Sequence, residues 1–201
     1  GRLVAAQRDL NRLGSAEEPL AEPLLERLGD RLRTGPEPRT ATDLYLLWRL
    51  ALVTGLRRGE LLGLRSCDIE PSSGSVTIRQ SRVVVSGRVV AKTPKTQRSC
   101  RTVVVDSLTA ELIAKERSAA SDEELIFINS EGNGLDPAWV SRRLKQLVLA
   151  SGLPVSRFHD LRHTFAVRTI TGWYRAGHDA AHEMHKLTTY LGHEGPRDTY
   201  W

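Results

Sequence analysis

Four short segments carry residue types able to handle a phosphate. Thr54-Gly55-Leu56-Arg57-Arg58-Gly59-Glu60 offers an arginine at a break between two helical stretches. Backbone amides and a guanidinium fork can converge on an anion there. His159-Asp160-Leu161-Arg162-His163 places His159 and Arg162 three residues apart, and His163 four residues from His159. On a helix that spacing sets a fixed cation beside a group that moves a proton near neutral pH. Lys95 lies in Lys92-Thr93-Pro94-Lys95-Thr96-Gln97-Arg98, between two β-branched runs. A lysine on such a connection can reach into a groove and protonate an alkoxide leaving group. Lys92 competes with it for that role. Leu191-Gly192-His193 adds a second histidine. Together these form a phosphate-handling set that lacks only a nucleophile.

Each segment has a plainer explanation when taken alone. Arg57 to Glu60 reads as a solvated, salt-bridged turn, and His159 with Arg162 as a polar first helical turn. Lys95 reads as one of several cations touching a polymer backbone. Glu60 is placed to anchor a neighbouring arginine or the helix start. His178, His182 and His185 lie near one helix face, as metal ligands do. However, His182-Glu183-Met184-His185 brings the second histidine one residue too early for a zinc helix. An exposed helix surface is expected there, with no metal.

Composition narrows the class. Net charge is +5, and of 29 basic residues five are lysines and 24 are arginines. Arginine carries the planar, permanently charged fork that suits phosphate, which makes nucleic acid a modest favourite as partner. Two cysteines, Cys67 and Cys100, exclude a disulfide framework and suit a reducing cytosol. No apolar run has transmembrane length.

The elements that must position these groups can be read from periodicity. Leu24, Leu25, Leu28 and Leu32 have helical spacing. Leu44, Leu47, Trp48, Ala51 and Leu52 predict an amphipathic helix capped by Thr42 or Asp43. A short helix follows Gly55 and carries Glu60 to Leu64. Val76 to Ile78, Arg82 to Val85, Arg88 to Ala91 and Thr102 to Val105 predict one small antiparallel sheet of about three strands. Ser86-Gly87 is its tight turn, and Lys95 falls at or beside a second turn. Helices are expected over about 107–118, 136–151, 158–176 and 179–192, with a turn cluster at 129–135. The fold class is therefore mainly α with a small three-stranded antiparallel sheet. Residues 1–19 read as a linker or the tail of a missing amino-terminal module.

The four segments, in this order, resemble the tyrosine recombinase family, also called phage integrases, and most of all its transposon and plasmid-borne members. The resemblance spans about residues 20–201 and concerns the catalytic domain. It implies that Arg57 and Arg162 hold the non-bridging oxygens of a scissile DNA phosphate. It further implies that Lys95 protonates the departing 5′-oxygen, His159 assists proton transfer, and His193 hydrogen-bonds the phosphate. Glu60 and His163 would support the site. A tyrosine makes the 3′-phosphotyrosyl link, with no cofactor or metal required. In the family this tyrosine follows the Gly-His histidine by nine positions, which places it at position 202, directly after Trp201. Tyr200 is the rival, but two residues earlier on a helix turns a side chain by about 200°. This chain is thus expected to be inactive for cleavage. The resemblance also implies double-stranded DNA as partner, a homotetramer on DNA for the full-length protein, and a monomer for this chain. The alternatives are a non-catalytic DNA-binding protein on the same fold and a topoisomerase with the same chemistry.

Overall fold

The computed structural model describes residues 41–93, 100–117, 123–152 and 156–192. The leucine run at 24–32, Lys95, His193 and Tyr200 lie outside them. Six α-helices lie among the described residues: α1 Ala41–Thr54, α2 Arg58–Leu62, α3 Ser107–Arg117, α4 Pro137–Ala150, α5 Phe158–Arg175 and α6 Ala180–Leu191. The strands are β1 Ile69–Glu70, β2 Ser75–Ile78, β3 Ser81–Val85, β4 Arg88–Lys92 and β5 Arg101–Val104. The fold is mainly α with a small antiparallel sheet.

Helix α1 is the hub. Its predicted stripe of Leu44, Leu47, Trp48, Ala51 and Leu52 is buried, but so are Leu46 and Leu50. The helix is covered on nearly every side, against α3, α5 and α2, so its apolar content exceeds one stripe. Arg49 is buried too. Its Nε donates to Thr109 Oγ1 at 2.7 Å and its Nη2 to Asp106 Oδ1 at 2.9 Å, which ties α1 to the start of α3. The helix spans Ala41–Thr54, so Thr42 and Asp43 fall within it rather than ahead of it.

The strands divide differently from the single sheet expected. β2 lies between β1 and β5 in a three-stranded antiparallel sheet, while β3 and β4 pair separately as a hairpin. Ile69 pairs with Val76, and Val76 with Val103. Val76 and Ile78 face the core while Ser75 and Thr77 are only partly covered, the period-two signature of a half-buried strand. The hairpin turn uses Ser86 at φ 50° and Gly87 at φ 76°. Two successive left-handed residues match the right-handed twist of paired strands. The hairpin rests on α2 and α4, and Arg82 Nη1 donates to Leu135 O at 3.0 Å.

Between 107 and 192 the described structure is helical, with no strand beyond isolated bridges such as Ile128 with Gly134. Asp136 caps α4 by accepting from Trp139 N at 2.7 Å, with Pro137 in the first helical position. In the turn cluster, Asn129 Oδ1 accepts from the backbone of Glu131 and Asn133. No helix of the described residues is long and apolar enough to cross a membrane.

One glycine decides how α1 meets α5. Gly55 has φ +61°, and a Cβ there would lie 2.6 Å from Phe165 Cδ1. Gly55→Ala should therefore destabilise the fold by about 2–4 kcal/mol, from left-handed strain plus overpacking. Urea unfolding will measure it; a loss under about 0.5 kcal/mol would show that this contact yields freely.

Candidate active site

Three helix starts in this chain share one local device. Arg57 and Arg157 each precede an α-helix and Arg65 a single 3₁₀ turn, Ser66–Asp68, and an acid three residues on accepts the backbone N–H of that arginine. Glu60 Oε2 accepts from Arg57 N at 2.9 Å, Asp68 Oδ2 from Arg65 N at 3.0 Å, and Asp160 Oδ2 from Arg157 N at 2.7 Å. Each carboxylate satisfies an orphan donor and suits the positive end of the helix. At the first of these starts, the glycine turn at 55 and the acid at 60 fix the backbone of Arg57.

The side chain of Arg57 is held at two points. Nη1 donates to Glu60 Oε1 at 3.0 Å and Nη2 to Gly192 O at 3.0 Å. It is 42% exposed, so the rest of its fork faces outward. Arg162, one helical turn into α5, is buried at 2% exposure. Its Nη1 donates to Gly55 O at 2.8 Å and its Nη2 to Leu191 O at 2.6 Å. The turn after α1 and the end of α6 are thus joined through one guanidinium. Carbonyls at the end of α6 carry the negative end of its dipole, which favours cations there.

Arg101, at the start of β5, was not singled out from the sequence. Its Nη1 donates to Glu60 Oε1 at 3.1 Å and its Nη2 to Glu60 Oε2 at 2.8 Å. Glu60 is buried between the two arginines, and their charges and hydrogen bonds outweigh its burial and hold its carboxyl below the usual range. Gly192 has φ +65°, and a Cβ on it would lie 3.3 Å from Arg101 Nη1. The cluster therefore holds Arg57, Arg101 and Arg162 against the one carboxylate of Glu60.

Burial, reinforced by Arg57 and Arg101, pushes Arg162 down to about 9, while Glu60 and Tyr190 work against that. It remains cationic at neutral pH. The Nε atoms of Arg101 and Arg162 are buried and have no hydrogen-bond partner among the described residues. Buried donors of this kind are normally satisfied.

His159 and His163 stand on the same face of α5, their rings edge-on at 4.7 Å between centroids. Burial first, then His163 and Arg162, lower the His159 pKa, against a smaller opposing effect of Asp160. A lowered pKa leaves the ring neutral at pH 7 and able to accept a proton. Lys92 ends β4 in an exposed position opposite Ser81; Lys95 and His193 lie outside the described residues. Elsewhere on α6, His185 Nδ1 meets His182 O at 2.7 Å, and both residues are exposed. Among the described residues no group of three histidines, cysteines or carboxylates is arranged to hold a metal.

Comparison with known proteins agrees in fold and in sequence. The phage integrase family matches residues 20–200. A putative integrase/recombinase, y4rB, of Sinorhizobium fredii is 33% identical over 163 residues, covering 78% of this chain and 50% of its own length. A tyrosine recombinase XerC-like protein of Caldanaerobacter subterraneus is 26% identical over 178 residues, covering 77% of this chain and 46% of its own. The chain spans about half the length of these relatives. Among solved structures, the Tn1549 transposon integrase in complex with transposon right end DNA superimposes with a TM-score of 0.70 at 20% identity. That match covers 92% of this chain and 61% of the other. XerA recombinase gives 0.62 at 21% identity, covering 90% and 56%. With a match from residue 20 to residue 200, the chain belongs to the phage integrase family of tyrosine recombinases.

Proposed function

We propose that this domain is the catalytic part of a site-specific DNA recombinase that cleaves and rejoins strands through a 3′-phosphotyrosyl intermediate. The observation that carries the reading is the arginine cluster, in which Arg57 and Arg162 are fixed by carbonyls of the α1–α2 turn and the end of α6. Preorganised cations act most strongly where negative charge redistributes in a phosphoryl transition state. Arg57 and Arg162 bind the non-bridging oxygens. His159, held neutral, takes the proton of the attacking hydroxyl, and His163 flanks it. Lys95 protonates the leaving 5′-oxygen, and His193 donates a hydrogen bond to the phosphate. Glu60 fixes the Arg57 side. The nucleophile is a tyrosine at position 202 of the parent protein, with Tyr200 as the weaker candidate. The parent protein acts as a homotetramer on double-stranded DNA, and this chain alone is a monomer.

The first test is DNA binding. Each neutralised phosphate releases roughly one counterion. The affinity of this chain for duplex DNA should therefore fall at least about tenfold between about 50 and about 200 mM salt, with little dependence on sequence. Arg57→Ala should lower the slope of log affinity against log salt by about one. Fluorescence anisotropy reads both. Affinity indifferent to salt, or a slope unchanged in Arg57→Ala, would remove the cluster from the DNA interface. A non-catalytic DNA-binding protein on this fold would pass this test but form no covalent adduct.

A further inference from the structure

We propose that Arg101 is a positioning residue of this site, which lets Glu60 hold Arg57 without cancelling its charge; the inference rests on the phosphate-binding reading above. Glu60 is the single carboxylate in the cluster, and all four described hydrogen bonds to its carboxylate oxygens come from two arginines. Oε1 accepts from Arg57 Nη1 and Arg101 Nη1, and Oε2 from Arg57 N and Arg101 Nη2. The Arg101 fork is bidentate, with a side chain only 10% exposed against 7% for Glu60. Such a pair is both strong and geometrically fixed.

The charge balance shows what this arrangement does. Arg57, Arg162 and Glu60 alone would leave one net positive charge to meet an anion. A buried carboxylate 3.0 Å from Arg57 Nη1 would draw that guanidinium inward and weaken its attraction for a phosphate. Arg101 supplies the counter-charge, so the cluster keeps two net positive charges while Glu60 still fixes the backbone and fork of Arg57. Gly192 completes the fit. It accepts from Arg57, and its lack of a side chain leaves room for Arg101. Arg101 need not touch the phosphate to do this.

The test titrates inorganic phosphate into this chain at constant ionic strength and follows the arginine Nε–Hε resonances by ¹⁵N NMR. Arg101→Met should weaken phosphate binding about tenfold, the effect of losing one charge-assisted partner. Arg101→Lys loses the fork but keeps the counter-charge on Glu60, and because the charge is what the inference requires it should stay within about threefold of wild type. Glu60→Gln combined with Arg101→Met restores the net charge and should bind phosphate at least about threefold more tightly than Arg101→Met alone, a non-additivity that a purely structural role would not produce. Should Arg101→Met fail to fold, the lysine variant and the double variant still decide. Wild-type affinity in Arg101→Met, a lysine variant at least about tenfold weaker than wild type, or a double variant no better than Arg101→Met would overturn the inference alone. A wild-type chain that binds no phosphate would overturn the reading of the site and this inference with it.

Discussion

Arg162→Lys will lower DNA cleavage by the parent protein by about 10²–10³-fold, the range set by removing one preorganised donor from a transition-state site. Lysine keeps the charge but not the fork. Arg162 spans two elements far apart in sequence, with Nη1 on Gly55 O and Nη2 on Leu191 O. An ammonium has three donors, but they radiate from one nitrogen and cannot span the two carbonyls that Nη1 and Nη2 reach separately. The loss should fall on the chemical step, with DNA affinity changed less than about tenfold, because the ionic attraction survives. Arg162→Ala would confuse the result, since it leaves a cavity and two unsatisfied carbonyls in a buried place. Thermal melts should therefore show the lysine variant folded. Cleavage within about threefold of wild type in a folded Arg162→Lys protein would show that the fork is not needed.

The same residue shows how far the sequence could be read. His159 and Arg162 were visible because their spacing places them on one helix face whatever the rest of the chain does. Arg57 and Glu60 were visible for the same local reason. Arg101 was not, because its partner lies 41 residues away and nothing near it in sequence marks it as special. Arg49 was missed likewise: its ion pair crosses 57 residues, and an arginine inside an apolar helix reads as the polar side of a stripe. Helices fared well because period and caps are local. Their ends shifted by a residue or two, as frayed helix ends do.

A small three-stranded antiparallel sheet was legible, but which strands belong to it was not, for a physical reason. Hairpin β3–β4 has a strong local signal in its β-branched runs and Ser86-Gly87 turn. The partnership of β2 with β5, which pairs Ile78 with Arg101, joins strands on either side of that hairpin. That pairing is non-local, so no pattern within either strand specifies it. The two residues of β1 are too few for any periodicity to reveal. As a result the strand that delivers Arg101 was legible, but its destination beside Glu60 was not.

The proposed reaction makes a phosphotyrosyl bond with a tyrosine at position 202. The direct measurement incubates three proteins with a nicked duplex carrying the recombination site and separates the products on a denaturing gel. They are this chain, its Tyr200→Phe variant, and the parent protein reading through position 202. The account predicts a covalent protein–DNA band from the parent protein alone, lost when the tyrosine at position 202 is replaced by phenylalanine. On the proposed reading, Arg57 and Arg162 bind the phosphate in all three proteins, and the attacking phenol is the one at position 202 rather than Tyr200. A band from this chain that disappears in Tyr200→Phe would contradict the placement of the nucleophile. A parent protein that binds the duplex yet gives no band would contradict catalysis itself, and would leave a DNA-binding protein built on a recombinase fold.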